Sequence, residues 1–253
     1  MNFFFGVKYL DYSSEIQIPK FQNKSNKIKP INLYQAFISE GKWQIDEVTN
    51  IKIHDHFFIL EKEIIDNKKI FFLATKDEVT TFEEKKLKNY NKFTDTSPAF
   101  RANLKIKKLN GGFSSYQSEY PFNMILKNGS ITSGISSLTN VKASENFLIF
   151  RNIFVDPIER QFNIYFVNLK TKKILKQDIL LTNKTNIVKI DKDLIHPEIF
   201  VISKNYLGIP IFLSEKNGHL SLEHTHPPHE YVKSHNKFDI VKRFKDETNK
   251  IIL

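Results

Sequence analysis

The chain contains no cysteine, which excludes disulfide staples and every zinc or iron–sulfur site built on thiolates, and leaves the compartment open. Glycine is scarce, with 8 residues in 253, whereas phenylalanine occurs 23 times beside frequent isoleucine and valine. Few flexible positions and many aromatic and β-branched side chains point to strands and argue against low complexity. Arginine is nearly missing, since of 38 basic residues only Arg101, Arg151, Arg160 and Arg243 carry a guanidinium. Bidentate reading of phosphate and guanine leans on that group. The net charge of +10 is therefore read as a solvated lysine surface and makes no strong case for nucleic acid. Long apolar runs are missing too, so the sequence offers no membrane span. The apolar start Met1–Val7 lacks a basic leader and is interrupted by Lys8 and Asp11, which does not read as a signal peptide. The expectation is a soluble, cytoplasmic protein. Neither Gly-x-Gly-x-x-Gly, nor a P-loop, nor a Gly-x-Ser-x-Gly elbow occurs, which speaks against the nucleotide and serine-nucleophile chemistries those motifs serve.

Period-two alternation dominates what is present. Residues 51–60 place Ile51, Ile53, Phe57 and Ile59 on one face and His54 and His56 on the other, which predicts a single strand there. Further strands are predicted at 2–9, 28–37, 42–48, 70–75, 100–108, 122–127, 146–155, 162–169, 173–181, 186–190, 198–203, 208–214 and 218–226. Asn110-Gly111, Asn128-Gly129 and Asn217-Gly218 lie between such runs and supply the positive φ angles of tight hairpins. Residues 83–97 suit a short helix or exposed linker. Residues 238–253 repeat apolar side chains at helical spacing through Phe238, Val241, Phe244, Thr248 and Ile251, which predicts a short amphipathic C-terminal helix.

Short strands, hairpin turns and no alternating helices predict an all-β fold, an antiparallel β-sandwich of immunoglobulin-like or jelly-roll-like type. Two β units are expected, an N-terminal one over 1–135 and a C-terminal sandwich over 136–253 ending in the helix, with a single continuous domain as the alternative. The Cys…Trp…Cys signature of immunoglobulin domains is absent.

The densest cluster of chemistry is GHLSLEHTHPPHEY, residues 218–231, and five of the eight histidines fall between 219 and 235. Alternation puts Leu220, Leu222, His224 and His226 on one face, so two imidazoles continue an apolar row. His229 and Glu230 follow beyond Pro227-Pro228. Two imidazoles on one side of a strand, joined by a third imidazole or a carboxylate, make a site for a divalent metal such as zinc, manganese or iron. The assigned metal residues are His224, His226, His229 and Glu230. The spacing Gly218-x5-His224-x-His226-x3-Glu230 resembles the first metal motif of the cupins over these 13 residues only. A cupin carries its remaining histidine on a later strand, whereas here 23 helix-patterned residues follow Glu230 and no glycine comes after it. The likeness is local and carries no family membership. His54-Asp55-His56 is a second pair that would strengthen a metal site if the two converged.

The second candidate site is 111–121, GGFSSYQSEYP, read as a polar loop between strands. Its hydroxyls, amide, carboxylate and aromatic rings are what a polyol ligand needs. Arg101, Tyr116, Gln117, Glu119 and Tyr120 are the assigned ligand-binding residues, with the Arg101 fork suited to an acidic group. Three functions follow: a binding protein for a small polar ligand or glycan, carbohydrate first, with or without a divalent metal; a metal-dependent enzyme using a His/His/Glu site; and a structural or assembly protein.

Overall fold

The computed structural model describes residues 2–20, 31–89, 102–125, 129–224 and 235–253. Two compact units are present. The first comprises Met1–Leu126 with Arg151–Arg160 and Thr182–Thr185, and the second comprises Lys127–Phe150, Gln161–Leu181 and Asn186–Leu253. Where one cut near residue 135 is expected from sequence, two later segments group with the first unit.

The first unit contains β1 (Asn2–Phe4), β2 (Tyr12–Pro19), β3 (Asn32–Ser39), β4 (Lys42–Glu47), β5 (Lys52–Ile53), β6 (Phe57–Leu60), β7 (Ile70–Ala74), β8 (Asn103–Lys108), β9 (Phe113–Gln117) and β10 (Glu119–Pro121). Two short helices, α1 (Lys76–Thr80) and α2 (Phe122–Ile125), complete it. The second contains β11 (Ile131–Gly134), β12 (Glu145–Arg151), β13 (Gln161–Asn168), β14 (Lys173–Leu181), β15 (Thr185–Lys189), β16 (Ile199–Ser203), β17 (Ile209–Lys216) and β18 (His219–His224), except that Arg151 at the end of β12 and Thr185 at the start of β15 group with the first unit. It ends in α3 (Lys237–Asn249).

The strands form four small antiparallel sheets among the described residues. Their orders are β10-β1-β7-β3-β4 and β5-β6-β2-β8-β9, then β11-β16-β13-β14 and β15-β12-β17-β18. Four sheets, the number of blades in a four-bladed β-propeller, correct the expected two-sheet sandwich. The physical reason lies in strands with no solvent face. Every residue of β7 is buried, as are six of the seven in β12 and six of the eight in β17. Each sheet of a two-layer sandwich keeps one outer face and so reads as an alternation. Continuous burial along a strand requires cover on both sides.

Turn chemistry fixes several hairpins. Asn217 and Gly218 take φ 53° and 82°, and Glu40 and Gly41 take 51° and 72°, the paired positive angles that join adjacent antiparallel strands with the right twist. Apolar burial drives the rest. In the first unit Phe3, Phe4, Phe5, Phe71 and Phe72 are fully buried. In the second, Leu148, Phe150, Phe166, Val201 and Phe212 form one cluster, and Phe162 stacks on Tyr206 at 4.3 Å and 14°. Helix α3 turns Val241, Lys245 and Thr248 inward and leaves Phe238 64% exposed, while Phe244 meets the Phe200 ring at 6.0 Å. No helix among the described residues is long and apolar enough to cross a membrane.

Candidate functional site

Strand β2 carries a polar face in the first unit. Tyr12, Ser14, Ile16 and Ile18 are buried, while Ser13, Glu15 and Gln17 alternate outward. β8 lies alongside with Ser13 opposite Lys107, Glu15 opposite Lys105 and Gln17 opposite Asn103. The pairing sets one carboxylate between two ammonium groups. Lys107 Nζ donates to Glu15 at 2.7 Å and Gln17 Nε2 donates at 3.1 Å, and the Glu15 side chain is 16% exposed. Burial alone would raise its pKa, but the hydrogen bonds from Lys107 and Gln17 and the charges of Lys107 and Lys105 outweigh it and hold the carboxyl below the ordinary carboxylate value.

A cleft of about 650 Å³ opens beside this row, formed by the turns near Lys8 and Asn110 and by Glu61–Glu63. Leu10 and Leu109 stand at its rim, 83% and 69% exposed. The two turns are tied together, since Leu109 N donates to Asp11 O at 2.8 Å. Tyr12 lines the inner wall but is 2% exposed, with the Lys108 ammonium 5.6 Å from its ring centroid. The wall is thus ionic and hydrogen-bonding, with apolar side chains at the entrance and a carboxylate that stays ionised at neutral pH.

The residues assigned from sequence are spread over different surroundings. The stretch 111–121 is mostly not a loop: Phe113–Gln117 is β9 and Glu119–Pro121 is β10, edge strands of two different sheets. Tyr116 is half-buried opposite Leu104, and Gln117 pairs with Asn103, the residue opposite Gln17, and so shares the outward face with Glu15. Glu119 accepts from Ala102 N at 3.1 Å. Tyr120 is fully buried, and that burial raises its hydroxyl pKa. Arg101 lies outside the described residues.

In β18 the burial alternates as period two predicts through His224: Leu222 is buried, Leu220 and His224 are half-buried, and His219, Ser221 and Glu223 are exposed. His224 sits opposite Ile211 of β17. His226, His229 and Glu230 lie outside the described residues. Residues 51–60 form two strands joined by a turn, not one, with His54 and His56 exposed. They belong to the first unit and His224 to the second. Among the described residues no three His, Asp or Glu side chains gather as metal ligands.

The sequence reading missed Glu15 and Lys107, although the signal was there. Ser13, Glu15 and Gln17 alternate with Ser14, Ile16 and Ile18, but Ser14 at an inward position hid the pattern. Its hydroxyl is satisfied internally, accepting from Val7 N at 2.8 Å and donating to Val7 O at 2.9 Å. Compared with protein-family models, with curated proteins and with solved structures, the chain matches none.

Proposed function

We propose that the chain is a binding module for a small polar ligand, a carbohydrate or comparable polyol first, seated in the cleft beside Glu15. The observation that carries this reading is the Glu15–Lys107–Gln17 row at the wall of a 650 Å³ cleft, a size suited to a small molecule. A sugar hydroxyl both donates and accepts, so it can bridge a carboxylate and an ammonium that already face each other. Leu10 and Leu109 would meet the ligand's C–H surface at the rim. Binding is favoured over acid–base catalysis because the perturbed carboxyl is shifted downward, away from the near-neutral pKa a general acid or base needs.

The test is a glycan array and a calorimetric polyol panel run on wild type, Glu15→Gln and Lys107→Met. A ligand bound by wild type and weakened at least tenfold in both variants is expected. No ligand in either screen, or a ligand unaffected by both substitutions, removes the reading.

A further inference from the structure

Arg151 ends β12 and is fully buried. Its Nη1 donates to the carbonyl of Asn67 at 2.6 Å and to the hydroxyl of Thr185 at 3.3 Å. Both partners are held in place. Asn67 exchanges hydrogen bonds with the backbone of Lys8, at 2.9 and 2.7 Å. Thr185 donates through its N–H to Asn67 O at 2.8 Å and through its hydroxyl to Gly6 O at 3.1 Å. The remaining guanidinium nitrogens, Nε and Nη2, find no hydrogen-bond partner among the described residues.

Those two nitrogens share one edge of the guanidinium plane, so their N–H groups run parallel. It is the edge that grips a carboxylate or other oxyanion with two bonds at once. The neighbouring acidic side chain that acts on Arg151 is Asp66. That residue is exposed and accepts from Lys68 N at 2.8 Å. The other interacting group, Tyr120, is bonded to the backbone of Ile153. The interior thus holds a cation whose visible hydrogen-bonding partners are neutral. Burial pulls the guanidinium pKa down to about 9, a measure of how poorly the charge is compensated. Buried charges persist in proteins when an opposite charge and hydrogen bonds meet them.

We propose that the Nε/Nη2 edge of Arg151 binds one small monovalent anion, either chloride or a planar oxyanion such as formate. Full burial sets the size, because a guanidinium with no exposed surface leaves room for no more than a few atoms. The site is separate from the Glu15 cleft and stands whether or not that cleft binds a polyol.

The experiment is thermal unfolding of the full chain against sodium chloride and, separately, sodium formate, with sodium fluoride holding ionic strength constant. At a hundredfold excess over Kd, linkage raises the Tm by on the order of 5 °C. The rise should vanish in Arg151→Met. A larger rise with formate assigns the oxyanion, and a larger rise with chloride assigns the halide. A bromide-soaked crystal of wild type adds a direct readout that does not depend on the variant folding: an anomalous peak within hydrogen-bond distance of Nε and Nη2 is expected. A Tm indifferent to both anions, or density at that edge from ordered water or a carboxylate of the chain itself, overturns the proposal.

Discussion

Two buried serines hold the segment that follows β1, and removing either should cost far more than a surface serine. The hydroxyl of Ser118 accepts from Phe5 N at 3.1 Å and donates to Phe5 O at 2.7 Å. The hydroxyl of Ser14 does the same for Val7, at 2.8 and 2.9 Å. Each serine thus performs for one residue what a neighbouring strand performs in a ladder, satisfying a donor and an acceptor together. Phe5, Val7, Ser14 and Ser118 are all 2% exposed or less, so water does not reach the groups when the hydroxyl is gone. Alanine leaves two backbone groups stranded per substitution. At about 1–3 kcal/mol for each buried unsatisfied group, and allowing for partial relaxation, Ser14→Ala and Ser118→Ala should each lose about 2–4 kcal/mol. That is a large part of the 5–15 kcal/mol that domains typically possess. Because Phe5 and Val7 are two residues apart, one relaxed segment can spare both pairs, and the double variant should lose less than the sum. Urea unfolding of the singles, the double and Ser115→Ala measures this. Ser115 lies on the exposed face of β9 and should move stability by no more than about 0.5 kcal/mol. If either buried single also falls under 0.5 kcal/mol, the ladder-substitute reasoning is wrong.

The Glu15 pair gives a pH signature. With its pKa held below the ordinary 4.5, Glu15 contributes stability that is fully present above that value and is lost as the pH falls through the folded-state pKa. Glu15→Gln should therefore cost about 1 kcal/mol at pH 7 and nothing relative to wild type well below pH 4, read as converging urea midpoints; a difference that persists in acid would contradict the assignment. At Gly6 an added Cβ would collide with Ile65 Cγ2 and stand 2.9 Å from Ser14 Oγ. Gly6→Ala should thus lose about 1–3 kcal/mol through overpacking, in the same urea assay, and an unchanged midpoint would show that the segment can shift aside.

The architecture was legible in the sequence as far as single strands reach. Strands at 173–181 and 198–203 and the turn at Asn217-Gly218 follow from alternation and from a dipeptide that readily takes two positive φ angles in a row. The helix at the C-terminus follows from spacing, and its rotation does so in part. Of the stripe Phe238, Val241, Phe244, Thr248 and Ile251, the residues Val241, Thr248 and Ile251 turn inward, whereas Phe238 and Phe244 stay exposed and Lys245 joins the inner side. Lys245 can do so because its ammonium reaches Ser130 O at 2.9 Å, a long-range contact that hydropathy does not encode. The number of sheets was not legible for a related reason. A strand such as Phe147–Phe150 in β12 is apolar at every position, and a continuous run tells how much of a strand is covered without telling which sheets cover it.

The site was hidden by the same kind of long-range satisfaction. Ser14 and Ser118 read as surface residues until the segment they bond is known, so β2 lost its alternation and β9–β10 became a serine-rich loop. With β2 unread, Glu15 had no face, and its partner Lys107, 92 positions along the chain, looked like one of many scattered lysines. The histidine cluster drew attention because it is local, and local enrichment is all that a sequence displays directly. Arg151 shows the limit from the other side. A rare arginine is visible in the composition, but its consequence depends on its burial and on hydrogen bonds to Asn67 and Thr185, which are distant in the chain. Among the described arginines Arg151 is the one placed beyond the reach of solvent, and its unpaired Nε/Nη2 edge is a property of the fold that no local stretch of sequence displays.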